Sequence, residues 1–163
     1  LPVLRNMHFK DCLFQKNSKL NCANFLVLEE INFNSCSFEE KNLQLRGTNL
    51  PVLKNMHFKD CSFQKNSQLN CANFLVLKEM NFIGCLFKEN SQISGTNLPV
   101  LRNMHFKDCL FQKNSQLNCA NFLVLEEMNF NSCSFEENNL KLRSNNLPVL
   151  KNMQLKDCSF QKN

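Results

Sequence analysis

"LVLEEMNFNSCSFEE", residues 123–137, carries the pattern that organises the whole chain. Met128 and Phe130 stand two residues apart, the spacing of side chains on one face of a strand. Leu125 precedes Met128 by three residues, which marks a bend entering that strand. Cys133 and Phe135 follow, with the Cys placed where a turn is tight and its thiol can meet neighbouring backbone. The stretch reads as one strand and one turn of a parallel coil, and its recurrence decides the fold.

That recurrence fills the sequence. "LPVLRNMHFKDC" at 1 returns as "LPVLKNMHFKDC" at 50, "LPVLRNMHFKDC" at 98 and "LPVLKNMQLKDC" at 147. Between them lie "FLVLEEINFNSC" at 25, "FLVLKEMNFIGC" at 74 and "FLVLEEMNFNSC" at 122. The unit is thus 24 or 25 residues in two alternating flavours, starting at 1, 25, 50, 74, 98, 122 and 147, and it makes residues 1–163 a single repeat array. An apolar residue recurs near the end of six units (Leu20, Leu45, Leu69, Ile93, Leu117, Leu142) and is expected to plug the core from the far side. Asn24, Asn49, Asn73, Asn97, Asn121 and Asn146 recur at the junctions, where the side chain bonds local backbone and tolerates a turn.

The units, L/F-x-x-L-x-x-M/I-x-F/L-x-x-C-x-F, resemble the leucine-rich repeat over the whole chain, and among those the plant F-box proteins with leucine-rich repeats. "LPVLKNMHFKDCSF" and "NCANFLVLEEMNFNSCSF" carry the likeness. The departures are Ala23, Ala72 and Ala120 where that family has Pro after Cys, and the absence of an F-box segment and of caps. The resemblance implies an array lined by parallel strands, and a substrate-recognition role in a ubiquitin-ligase complex. Right-handed parallel β-helices of surface adhesins share a second pattern, F-x-x-C-x-F-x-x-N-S, which Asn17, Asn66, Asn90 and Asn114 fit. The chain lacks the Gly-rich and Thr-rich corners of such coils, having only 3 Gly. Both readings are parallel β-solenoids. The chain begins at Leu1 in mid-pattern, so a fragment of a longer array is expected.

Composition narrows the function classes. The net charge of +5 is spread in both signs and is not a nucleic-acid footprint. No run reaches the roughly 18 apolar residues of a membrane span. Ten Cys suggest disulfides or zinc, but seven of them (Cys12, Cys36, Cys61, Cys85, Cys109, Cys133, Cys158) share one inward position. Stacked in register about 4.7–4.9 Å apart, they present the wrong dihedral for most disulfides. Cys22, Cys71 and Cys119 fall in alternate units without neighbours, and no C-x-x-C pair exists. Reduced thiols and the lack of any N-x-S/T sequon point to a cytoplasmic or nuclear protein; the β-helix alternative would be extracellular or at the cell surface.

No catalytic set is visible, and no metal or cofactor is expected. His8, His57 and His105 point outward two strands apart, roughly 9–10 Å, too far to share a metal. The candidate partner-binding face is the outward side of the strands, which lines the concave surface of a leucine-rich repeat. Its residues are Arg5, His8 and Lys10; Glu29 and Asn32; Lys54, His57 and Lys59; Lys78, Glu79, Asn81 and Ile83; Arg102, His105 and Lys107; and Glu126 and Asn129. Asp11, Ser35 and their equivalents are placed on the same face. Two uses of that face stand side by side. Arg5, Glu29 and Lys54, and again Arg102, Glu126 and Lys151, could pair across strands. Ile83 and Gly84 could instead form an uncharged notch for a partner. The expected partner is a protein, with end-to-end self-association of the open array as a further expectation.

Overall fold

The computed structural model describes residues 3–22, 27–40, 43–46, 53–72, 77–96, 101–118, 124–136, 141–143 and 150–161. The junction asparagines and Cys119 lie outside them. Among the described residues all regular structure is β-strand, wound into a parallel β-solenoid. Each complete turn, or rung, gives one strand to each of three sheets.

The first sheet stacks seven strands: Asn6–Lys10, Glu30–Asn34, Leu53–Lys59, Leu77–Ile83, Leu101–Lys107, Glu127–Asn131 and Asn152–Lys156. Every pairing is parallel and in strict register, so Met56 lies on Met80 and Phe58 on Phe82. The three-residue step before this strand is a local bulge. The Glu29 carbonyl accepts from the N–H groups of both Lys54 and Asn55, at 2.8 and 3.1 Å, leaving two successive residues outward between Leu53 and Met56. The second sheet also has seven strands, two or three residues each, from Leu13–Phe14 to Ser159–Gln161.

The corner between these two sheets is set by chemistry that the strand pattern conceals. Asp11, Ser35, Asp60, Gly84, Asp108, Ser132 and Asp157 all have positive φ, from 52° to 63°. They sit beyond the strand end, which corrects their placement on the outward strand face. Asp, Ser and Gly are residues that tolerate or favour this conformation. The following Cys then turns inward, as expected. Cys85 donates its thiol to the Phe58 carbonyl one rung earlier at 3.4 Å, and Cys109 does the same to Phe82 at 3.4 Å. The described cysteines are all free thiols.

A second left-handed position closes the next corner. Asn17, Asn66, Asn90 and Asn114, the asparagines of the β-helix pattern, have φ between 58° and 63°. Each is the third residue of a turn closed by the next Ser, as in Ser67 N–H to Gln64 carbonyl at 2.9 Å. Positive φ at the third residue is what a type II turn demands. Ser67, Ser91 and Ser115 tuck inward behind it and are buried.

The third sheet has six strands: Lys19–Asn21, Leu43–Arg46, Gln68–Ala72, Gln92–Thr96, Gln116–Asn118 and Lys141–Arg143. Leu69, Ile93, Leu117 and Leu142 align as expected, and so do Leu20 and Leu45. The expected single column breaks between them: Leu43 pairs with Leu69, and Leu45 pairs with Cys71. The second unit carries one extra residue before this strand, and the sheet answers with a register step of two. An even step keeps the inward face inward, so Leu43 and Leu45 are both buried.

The core is built from columns. Phe9, Phe33, Phe58, Phe82, Phe106 and Phe130 stack along the first sheet, with Phe58 and Phe82 centroids 4.7 Å apart and 6° from parallel. Phe14, Phe38, Phe63, Phe87, Phe111, Phe135 and Phe160 stack along the second. The columns meet edge to face, as in Phe82 and Phe87 at 5.6 Å and 63°. Both geometries are favourable for aromatic pairs, contributing about 0.5–1.5 kcal/mol each beyond burial.

Candidate functional site

The core columns fix where the other side chains go. Because the inward residues of the first sheet stack without slip, the outward ones form straight rows across the rungs. One row runs His8, Asn32, His57, Asn81, His105, Asn129 and Gln154. The next runs Lys10, Asn34, Lys59, Ile83, Lys107, Asn131 and Lys156. All seventeen residues expected to form the binding face are therefore on one surface, with the lysines and arginines exposed and the glutamates half-buried.

The His row is knitted by amides. The Asn81 side-chain amide lies 3.2 Å from His57 Nδ1, and that of Asn129 lies 3.3 Å from His105 Nδ1. Glu30 accepts from the Asn32 amide at 3.0 Å and stands 3.6 Å from His57 Nε2. Glu127 accepts from the Asn129 amide. His57 and His105 thus each bond to the Asn on the following rung. Among the described residues no group of three His, Cys, Asp or Glu could hold a metal ion. Nor is any described helix long and apolar enough to cross a membrane.

The charge pairing is one-sided. Lys54 Nζ meets Glu29 Oε1 at 3.2 Å, and Lys151 Nζ meets Glu126 Oε1 at 3.3 Å. Arg5 and Arg102, on the other side of those glutamates, make no ion pair among the described residues. Each carboxylate turns to the cation on the rung after it, and its near oxygen is occupied there. Such exposed pairs contribute about 0.2–1 kcal/mol.

The fourth rung departs from the pattern at two positions. Lys78 stands where the second and sixth rungs have Glu29 and Glu126, and Ile83 where they have Asn34 and Asn131. Ile83 is 42% exposed. An open trough of about 540 Å³ runs from His8 and Lys10 across Asn32 and His57 to Asn81 and Ile83. Sequence reasoning found the apolar break at Ile83 but missed the run of three cations that Lys78 completes with Lys54 and Arg102. The signal was present in the leading dipeptides R-N, E-E, K-N, K-E, R-N, where one E-E becomes K-E.

Three of the buried thiols are held in the protonated form. Burial pushes Cys22 up to about 11 and Cys71 up to about 12. Cys36 is likewise pushed up to about 11 by burial, against the lowering effect of its backbone hydrogen bonds. A thiolate is the reactive form, so these residues act as small core side chains at neutral pH. Comparison of the chain with protein-family models, with curated proteins and with solved structures gave no match.

Proposed function

We propose that the chain is a non-catalytic scaffold that binds another protein through the outward face of its first sheet. The observation that most supports this is the seven-strand face itself, backed by stacked aromatic columns and carrying cations, Arg5 and Arg102 among them, that make no ion pair among the described residues. Solenoids present such extended, preorganised surfaces to partners. Thiols used as hydrogen-bond donors to carbonyls fit a reducing compartment, hence a cytoplasmic or nuclear setting. The sequence resemblance adds a narrower role, substrate recognition within an F-box ubiquitin ligase. The test is affinity capture of the full-length protein from its native cells, with mass spectrometry of what it retains. An F-box adaptor and a cullin are the expected companions, and their absence with no other protein partner retained overturns the interaction reading.

A second reading, a structural or adhesive surface solenoid, is favoured by one observation. Each complete rung has three strands, and the asparagines of the β-helix pattern occupy left-handed turns. Recovery of surface or wall components in the same capture experiment would select it.

A further inference from the structure

Along the row that holds Arg5, Glu29 and Lys54, the sign of charge alternates from rung to rung except at one place. In the second and sixth rungs a glutamate separates the cations on either side, and Lys54 and Lys151 close on it. In the fourth, Lys78 puts three cations, Lys54, Lys78 and Arg102, at the same place on successive strands. Like charges on adjacent strands are destabilising. Among the described residues Lys78 and Arg102 have no side-chain partner. The same rung replaces a polar residue with Ile83, held between Lys59 and Lys107, which make no ion pair among the described residues. The carboxylates nearby are Glu29, held by Lys54, Glu126, held by Lys151 on the strand next to Arg102, Glu79, half-buried beside Lys78, and the corner residues Asp60 and Asp108. Two departures from the repeat on one strand, a row of like charges and an exposed apolar side chain, mark a surface shaped for something outside it.

From this we propose that Leu77–Ile83 is the seat of an acidic peptide segment bearing a bulky apolar residue; the proposal rests on the protein-binding reading and names its partner chemistry. Carboxylates of the segment answer Lys78 and Arg102. The chain then runs along the strand past Asn81, and an apolar side chain covers Ile83. Lys78 and Ile83 are five residues apart, about 16 Å of extended chain, so the ligand needs its acidic and apolar parts four or five residues apart. A phosphate backbone fits less well, because it offers no apolar group to cover Ile83.

The test uses the full chain and a fluorescein-labelled peptide of two Glu, three Ser and a Leu, followed by anisotropy. Lys78→Glu and Ile83→Asn are the variants, singly and together. They install the residues the chain itself uses at Glu29, Glu126, Asn34 and Asn131, so the fold is retained and circular dichroism should not change. The expected result is roughly tenfold weaker binding for Lys78→Glu, a smaller loss for Ile83→Asn, and weakening of the wild-type complex as salt rises. Equal binding by the double variant, equal binding of a peptide with Lys in place of Glu, or tighter binding of an RNA oligonucleotide would each overturn the proposal. Repeating the affinity capture with the double variant separates the two levels. Partners retained by both proteins leave the scaffold reading standing and sink the acidic segment; no partner for either sinks the reading itself.

Discussion

Asp60 leans its carboxylate over Gly84, with Oδ1 2.5 Å from the place a β-carbon on that glycine would occupy. Gly84 also has φ of +63°, the only glycine among seven equivalent corner residues. Gly84→Ala should therefore destabilise the coil by about 1–2 kcal/mol from the left-handed backbone alone. Asp60 is exposed and can swing aside, so the contact adds little. Gly84→Asn should cost less, since Asn tolerates this region. Urea denaturation of the two variants should rank them in that order; equal stability of alanine and wild type would contradict the strained corner.

Phe82 is sandwiched between Phe58 and Phe106 and is fully buried, whereas Phe160 is 66% exposed. Phe82→Ala should cost about 3–5 kcal/mol, the range for deleting a buried ring. Phe160→Ala should cost a small fraction of that. Thermal melts would check the contrast, and similar losses at both positions would argue against continuous aromatic columns.

Burial raises Cys22, Cys36 and Cys71 above the ordinary thiol value of 9.0. In the folded chain these groups stay neutral to about 11 or 12, while in the unfolded chain they ionise above 9.0. Their contribution to stability is thus complete below 9.0 and falls as pH rises toward 12. Denaturation midpoints should fall across that window, and a thiol reagent at pH 8 should find these residues only after unfolding.

Asn90 holds φ of 58° and donates its amide to Asn66 Oδ1 at 3.2 Å. Asn90→Gly should be close to neutral, because the glycine removes strain as it removes the exposed hydrogen bond. Asn90→Ala should lose about 1 kcal/mol, because it keeps the β-carbon in the left-handed region but loses the short polar side chain that makes that region tolerable. Chemical denaturation of this pair isolates the turn, and an alanine variant as stable as the glycine one would refute the assignment.

The rungs were legible because the inward side chains repeat almost without variation: Met56 and Phe58 predict Met80 and Phe82, and the structure stacks them. The corners were less so. Period two, carried past Phe58, puts Asp60 on the inward face and the reading of an outward row ignored the turn. The composition of that position, Asp, Ser or Gly in every unit, was the available sign of positive φ. The third-sheet step was hidden for another reason. Leu43 and Leu45 are both apolar and two apart, so either fits the column, and only the pairing with Leu69 and Cys71 decides between them. For the candidate face, the alternation of charge could be read, but which cation each glutamate takes depends on side-chain direction, which sequence does not record.

The corner hydrogen bonds also give the coil a temporal order. Asp11 N–H bonds to the Asn34 carbonyl, Asp60 to Ile83, Gly84 to Lys107 and Asn66 to Glu89, each donor reaching a residue made later. A nascent rung emerging from the ribosome therefore has corners that stay open until its successor is synthesised. At roughly 5–20 residues per second that wait lasts on the order of seconds per rung. Folding during translation should lag one rung behind the growing chain, with the newest phenylalanines held bare at the advancing front, where a chaperone would find them.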